Sequence, residues 1–247
     1  MTVRAVIFDW GGTLTPWHTI DHAQLWHDVC LPHYPDGGHA EIARAIAAAE
    51  RELWLAAERE HSSATVLGIF ERAGLAPPAG ELLAGYLSAF EPHTLTDPQA
   101  AGLLRALRER GIRTGVLSNT MWPRSWHEDV FRRDGVLDLI DGAVYSSEIG
   151  WTKPHPEAFR AAMAAVGVTE PGECVFVGDR PFDDVFGAKS IGMRAVLIPH
   201  SEEPGHDAAE PDAVISSLSE LLPLIDHWRA GPAGGHGAAA EHAGGQH

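Results

Sequence analysis

Residues 5–15 read AVIFDWGGTLT: an apolar run that closes on Asp9 and then turns through Gly11 and Gly12. A short run of this kind, rich in β-branched residues and stopped by glycine, predicts a buried strand over 3–8. Similar runs recur at IRTGVLSN (112–119), GAVYSS (142–147), ECVFVGD (173–179) and RAVLIP (194–199). Between them, 99–110, 156–166 and 184–191 carry helical periodicity, each closed by a glycine (Gly111, Gly167, Gly192). Strands alternating with helices imply a doubly wound parallel sheet, an α/β class of Rossmann-like form. The stretch 16–96 breaks the alternation. IDHAQLWHDVCL, HAEIARAIAAAERELWLAAERE, SSATVLGIFERAGL and GELLAGYLSAF all read as helices, with Ser62 or Ser63 as a candidate cap and Pro77 and Pro78 marking a turn. The expected organisation is a core of 1–15 and 97–228, an all-helical insertion of 16–96, and a Gly-, Ala- and His-rich tail of 229–247 with the composition of a disordered segment and no expected metal site.

Composition narrows the function. With 45% hydrophobic and 21% charged residues the chain reads as an ordinary globular protein. A net charge of -16 leaves no surplus of Lys and Arg to neutralise a nucleic acid or an anionic membrane, so neither is an expected partner. The two cysteines, Cys30 and Cys174, make a disulfide framework improbable. No apolar stretch approaches the ~20 residues of a bilayer span, and no signal-like segment precedes Asp9, so the expected location is the cytoplasm. Length and composition leave monomer and homodimer open.

Ligands of an open α/β sheet bind beyond the carboxyl ends of its strands. Asp9, Ser118 with Asn119, Lys153, and Asp179 with Asp183 and Asp184 all fall there. Singly, a strand-end Asp or Ser is more often a helix cap than a catalyst. Together, a carboxylate, a hydroxyl, an ammonium and an acidic group are the parts needed to move a phosphoryl group through an aspartyl-phosphate on Asp9. The acidic group suits Mg²⁺, while Ser118 and Lys153 suit the phosphoryl oxygens.

FDWGGTLT (8–15), VLSNT (116–120), SSEIGWTKPHPEAF (146–159) and VGDRPFDDVFGAKSIGM (177–193) resemble, in order, the motifs of the haloacid dehalogenase (HAD) superfamily, in the branch with a helical cap between its first two motifs. The resemblance implies Asp9 as nucleophile, Ser118 as phosphate-binding hydroxyl and Lys153 as the basic residue. It implies a Mg²⁺ site of Asp9, the Gly11 carbonyl, Asp179 and either Asp184, which the spacing favours, or Asp183. Trp10, Gly12, Asn119 and His18 are the further substrate-contact candidates, and a small phosphorylated metabolite is the implied substrate.

One position departs from the pattern. The phosphatases of this superfamily carry Asp-x-Asp, whereas this chain reads Asp9-Trp10-Gly11. Glycine keeps a carbonyl for metal but loses a proton carrier, a loss typically on the order of 10²–10⁴ in rate. His18, Asp21 and His22 follow closely, with His18 the first choice as surrogate because imidazole titrates near neutrality. Gly11 also admits two other readings: a carbon–halogen hydrolase, which lacks the second aspartate but needs no metal cluster, and a phosphate-binding regulatory protein without turnover. A phosphonatase is disfavoured because 16–96 contains no lysine. Trp17, Trp26, His27 and Trp54 point to an apolar or ring-containing leaving group.

Overall fold

Six parallel strands form the centre of the computed structural model, which describes residues 2–34, 36–75, 80–199 and 209–230. Across the sheet they run β3 (Gly142–Tyr145), β2 (Arg113–Ser118), β1 (Ala5–Phe8), β4 (Cys174–Gly178), β5 (Arg194–Leu197) and β6 (Ala213–Val214). The chain winds outward from β1 to β3, then restarts at β4 on the other side of β1. The order therefore reverses between β1 and β4, which is where such sheets open a crevice. β1 and β4 are buried throughout, and burial on both faces is why their sequences are unbroken apolar runs rather than alternating ones.

Alternation persists in what each side chain packs against. Val6 and Phe8 join a cluster with Leu103, Leu107, Phe131 and Ile225, from α5 (Ala100–Glu109), α6 (Arg124–Arg133) and α9 (Leu221–Ala230). Ala5 and Ile7 face the opposite layer with Phe159, Met163 and Ala188, from α7 (Pro156–Ala165) and α8 (Gly187–Ser190). The sheet is thus sandwiched by helices, with about 1.5–3 kcal/mol gained for each large side chain fully buried.

Between β1 and β2 the chain inserts α1 (His22–Cys30), α2 (His39–Glu60), α3 (Val66–Arg72) and α4 (Gly80–Phe90), with no strand among the described residues of 16–96. Trp26, Ile46, Ile69 and Tyr86 bury themselves where these helices meet. The insertion is tied to the carboxyl edge of the sheet. Ser62 forms an antiparallel bridge to Trp151, the Thr152 amide donates to the His61 carbonyl at 3.1 Å, and the Val66 amide donates to the Met121 carbonyl at 2.8 Å.

Local details differ from the sequence expectation in three places. Thr65, not Ser62 or Ser63, caps α3, its side chain accepting from the Gly68 amide, because Ser62 is engaged in the bridge. The helix expected to start at Asp184 begins three residues earlier as a π-helical turn over Pro181–Phe186. Helix α6 was not expected at all. Cys30 and Cys174 are buried free thiols. Pro77, Pro78 and nearly all of the tail lie outside the described residues, and no helix among those described is long and apolar enough to cross a membrane.

Candidate active site

The sheet's register brings the acidic residues together. Phe8 pairs with Val177, and the Asp9 amide donates to the Val177 carbonyl at 2.8 Å, so Asp9 and Asp179 emerge side by side from adjacent strand ends. After Asp9 the chain curls tightly, and the carbonyl of Trp10 accepts from the amides of Thr13, Leu14 and Thr15 at 3.3, 2.9 and 2.9 Å. Gly12 makes this turn possible twice over. Its φ is +82°, and a Cβ there would lie 2.6 Å from Asp179 Oδ2. Gly178 has the same function toward Asp184, whose carboxyl group fills the space a Cβ would take. Gly11 differs: its φ is ordinary, and a Cβ would meet nothing within 4 Å.

Lys153 sits at the centre. Its Nζ donates to Asp9 Oδ1 and to Asp184 Oδ1, both at 2.6 Å, and all three side chains are almost completely buried. Asp9, Asp179 and Asp184 each present an oxygen within 4.8 Å of the others'. Asp184 Oδ2 also accepts from the Arg180 amide at 2.9 Å, which holds the 179–184 loop around the cluster. Three carboxylates against one ammonium leave an excess of negative charge. Burial pushes the Asp179 carboxyl up to about 8, with Asp9 and Asp184 adding to the rise. Burial also raises the Asp9 carboxyl, against the pull of Lys153. The two carboxylates beside it, outweighing the cost of burial, keep Lys153 firmly charged. An all-oxygen, buried, under-neutralised donor set fits a hard divalent cation such as Mg²⁺.

Asp183, the alternative to Asp184, turns aside to Arg180, 3.4 Å from its Nη1. Ser118, at the end of β2, is buried and faces the same crevice as Asp9 and Lys153. The Asn119 side chain is used as a brace: it accepts from the Lys153 amide at 2.8 Å and donates to the Lys153 carbonyl at 3.0 Å, locking two strand-end loops together.

Above these residues lies a cavity of about 370 Å³ between the sheet edge and the insertion. Asp9, Trp10, Gly11, Ser118, Lys153 and Asp183 line its core side, and Trp17, His22, Glu50, Trp54, Glu58 and Phe90 its insertion side. Trp10 packs edge-on against Trp126 and His127. His18 is not among the lining residues; it is exposed, with its ring against His93 at 5.1 Å. Asp21 caps α1 through the Gln24 amide. Of the three surrogates named from sequence, His22 is the one at the cavity. Its Nδ1 lies 3.3 Å from Glu50 Oε1 and 3.4 Å from the Tyr86 hydroxyl, and Glu50 raises its pKa. Trp26 stands behind, donating to Glu50 Oε2 at 2.8 Å.

Several contributors were not singled out from sequence. Arg180, Thr120 and Trp122 line the cavity. The Trp122 amide and His127 Nε2 both lie 3.1 Å from Thr120 Oγ1, and burial pushes His127 down to about 3, so it stays neutral. Thr120 in VLSNT and Arg180 in VGDRPFDDVFGAKSIGM were the available signals.

Comparison with known proteins identifies the family. A phosphoserine phosphatase of Thermus thermophilus is 34% identical over 153 residues, 62% of this chain and 60% of that protein. The chain thus spans about three fifths of that curated relative. A HAD phosphatase of Thermococcus onnurineus, solved by crystallography, superposes with a TM-score of 0.63 at 25% identity over 90% of this chain and 98% of that one. An L-2-haloacid dehalogenase of Xanthobacter autotrophicus gives 0.63 at 23% identity over 94% and 100%, a likeness of fold. The model of the haloacid dehalogenase-like hydrolases matches residues 3–192, from the first strand through the loop that carries Asp179 and Asp184. The chain belongs to that family.

Proposed function

We propose that the protein is a Mg²⁺-dependent phosphatase of a small phosphorylated metabolite, working through an aspartyl-phosphate on Asp9. The observation that carries this reading is the buried cluster of Asp9, Asp179 and Asp184 around Lys153, open to a cavity that Ser118 also lines. Asp9, Asp179, Asp184 and the Gly11 carbonyl would hold the cation, with Asp183 outside that set. When bound, it offsets charge on the phosphoryl oxygens and on the carboxylates.

An Asp9 oxygen attacks phosphorus, the ester oxygen departs with the alcohol, and water then cleaves the acyl phosphate to return Asp9 and release phosphate. Lys153 is already anchored to Asp9, and with Ser118 it receives the oxygens as charge builds on them. Asn119 keeps Lys153 in register. The proton that the missing second aspartate would carry falls to His22, the insertion imidazole at the cavity, held through Nδ1 by Glu50.

Gly11 favours a second reading, hydrolysis of a carbon–halogen bond. The acidic cluster argues against it, since that chemistry leaves three buried carboxylates with nothing to hold. A panel of small phosphate monoesters and 2-haloacids separates the two. Phosphate release that Mg²⁺ supports and EDTA abolishes is the expected result; halide release with no phosphate release overturns the proposal.

A further inference from the structure

The insertion side of the cavity has a charge of its own. Glu50, Trp54 and Glu58 recur every four residues on α2, so they share one face, and all three line the cavity. Trp54, Phe90 and Trp122 add aromatic faces. No lysine occurs in residues 16–96, and none of the insertion's arginines lines this cavity. Arg44 and Arg51 line an outer groove along α1 and α2, with Arg51 also in an adjoining cavity beside His22, Glu50 and Trp54; Arg59 turns back to the Leu55 carbonyl, and Arg72 pairs with Glu52. Even with His22 protonated against Glu50, Glu58 leaves this wall net negative.

The lysine and arginine at the cavity both come from the core. Lys153 stands at its floor among the carboxylates, and Arg180 reaches over the Trp17 ring at 5.9 Å. The cavity therefore runs from a phosphate-accepting floor that holds Lys153 to an acidic, aromatic roof. An anionic leaving group would meet Glu58, a carboxylate that no lysine or arginine of the insertion balances at the cavity. A purely apolar one would strip water from Glu58 and give no bond in return. A cation satisfies both the carboxylates and the π-faces.

We infer, resting on the phosphatase reading above, that the ester cleaved here carries an ammonium group on its alcohol, seated among Glu50, Glu58, Trp54, Phe90 and Trp122. The test compares choline phosphate with neohexyl phosphate, its uncharged carbon isostere, and with phosphoglycolate, whose leaving group is a carboxylate. Phosphate release with Mg²⁺ gives kcat/KM for each, and isothermal titration of the unmodified protein with choline and with neohexanol reads the roof without turnover. The expected result is a kcat/KM at least tenfold higher for choline phosphate than for its isostere, phosphoglycolate lowest, and a ratio that Glu58→Gln narrows severalfold. Equal or reversed ratios with measurable turnover overturn the inference and leave the phosphatase reading standing. If no ester is hydrolysed, titration decides: choline bound at least threefold more tightly than neohexanol sustains the ammonium site while the phosphatase reading falls, and no preference overturns both.

Discussion

Replacing Lys153 by methionine keeps the length of the side chain and removes its charge. Two 2.6 Å bonds vanish together, and Asp9 and Asp184 are left buried without the ammonium that pairs them. Removing one partner of a buried ion pair typically costs about 3–5 kcal/mol, a large share of the roughly 5–15 kcal/mol that holds a domain folded. The cost depends on pH, because a carboxyl can escape it by taking up a proton. In the metal-free protein burial, with Asp9 and Asp184 adding to it, pushes the Asp179 carboxyl up to about 8 from the ordinary 3.8, so over that interval the folded state holds protons that the unfolded chain has released. Its contribution to stability is therefore full below about 4, declines as pH rises and levels off above about 8. Losing Lys153 steepens that decline. Urea unfolding of wild type and Lys153→Met in EDTA, at mildly acidic pH and above pH 8, checks this. The expected loss is about 3–5 kcal/mol on the alkaline side, clearly smaller on the acidic side, and partly recovered with Mg²⁺. A loss under about 1 kcal/mol on the alkaline side, within the range of an exposed pair, or the same loss at both pH values, would show that Lys153 does not neutralise a buried carboxylate cluster.

Neighbouring glycines are expected to behave oppositely. Gly12→Ala forces a left-handed φ on alanine and a contact with Asp179, so both metal affinity by titration and thermal stability should fall; Gly11→Ala should leave the fold intact. Gly11→Asp has room for its Cβ and should speed hydrolysis of alkyl phosphates by up to the order of 10²–10⁴, aryl esters less, because an aryl group leaves without a proton. No change in either ester, with measurable wild-type turnover, would show that the second aspartate is not what limits the rate. For His22, Glu50 raises the pKa, so the protonated acid should persist above the usual imidazole range, with kcat declining on the alkaline side of it. The stability of the His22–Glu50 pair should follow the same sign, full below the unfolded pKa and lost as pH rises through the folded one. His22→Gln should remove that limb from the pH–rate profile, and an unaltered profile would exclude His22 as the acid.

The strands and the polar residues at their ends were legible because a buried parallel sheet leaves continuous apolar runs, and the residue after each run must lie at the carboxyl edge. That rule alone placed Asp9, Ser118 and Asp179 in one crevice. Helix α6 was harder to read. Its buried Trp126, Val130 and Phe131 are embedded among arginines and acids, and it starts after Pro123 with no side-chain cap. The sequence favoured His18 over His22, and the structure reverses that order. Only the packing of α1 on α2, through Trp26 and Glu50, turns one to the cavity and leaves the other outside. Between Asp183 and Asp184 the spacing already favoured Asp184, and the π-helical turn places Asp184 on Lys153 and Asp183 against Arg180.

Phosphoryl transfer through this site requires an Asp9 oxygen to bond phosphorus, and acid-quenching the protein during turnover with Mg²⁺ tests this directly. Peptide mass spectrometry should then find a phosphoryl group on Asp9, with the adduct and phosphate release both absent in Asp9→Asn. Sustained phosphate release from Asp9→Asn, or a phosphoryl group on another residue, would contradict it.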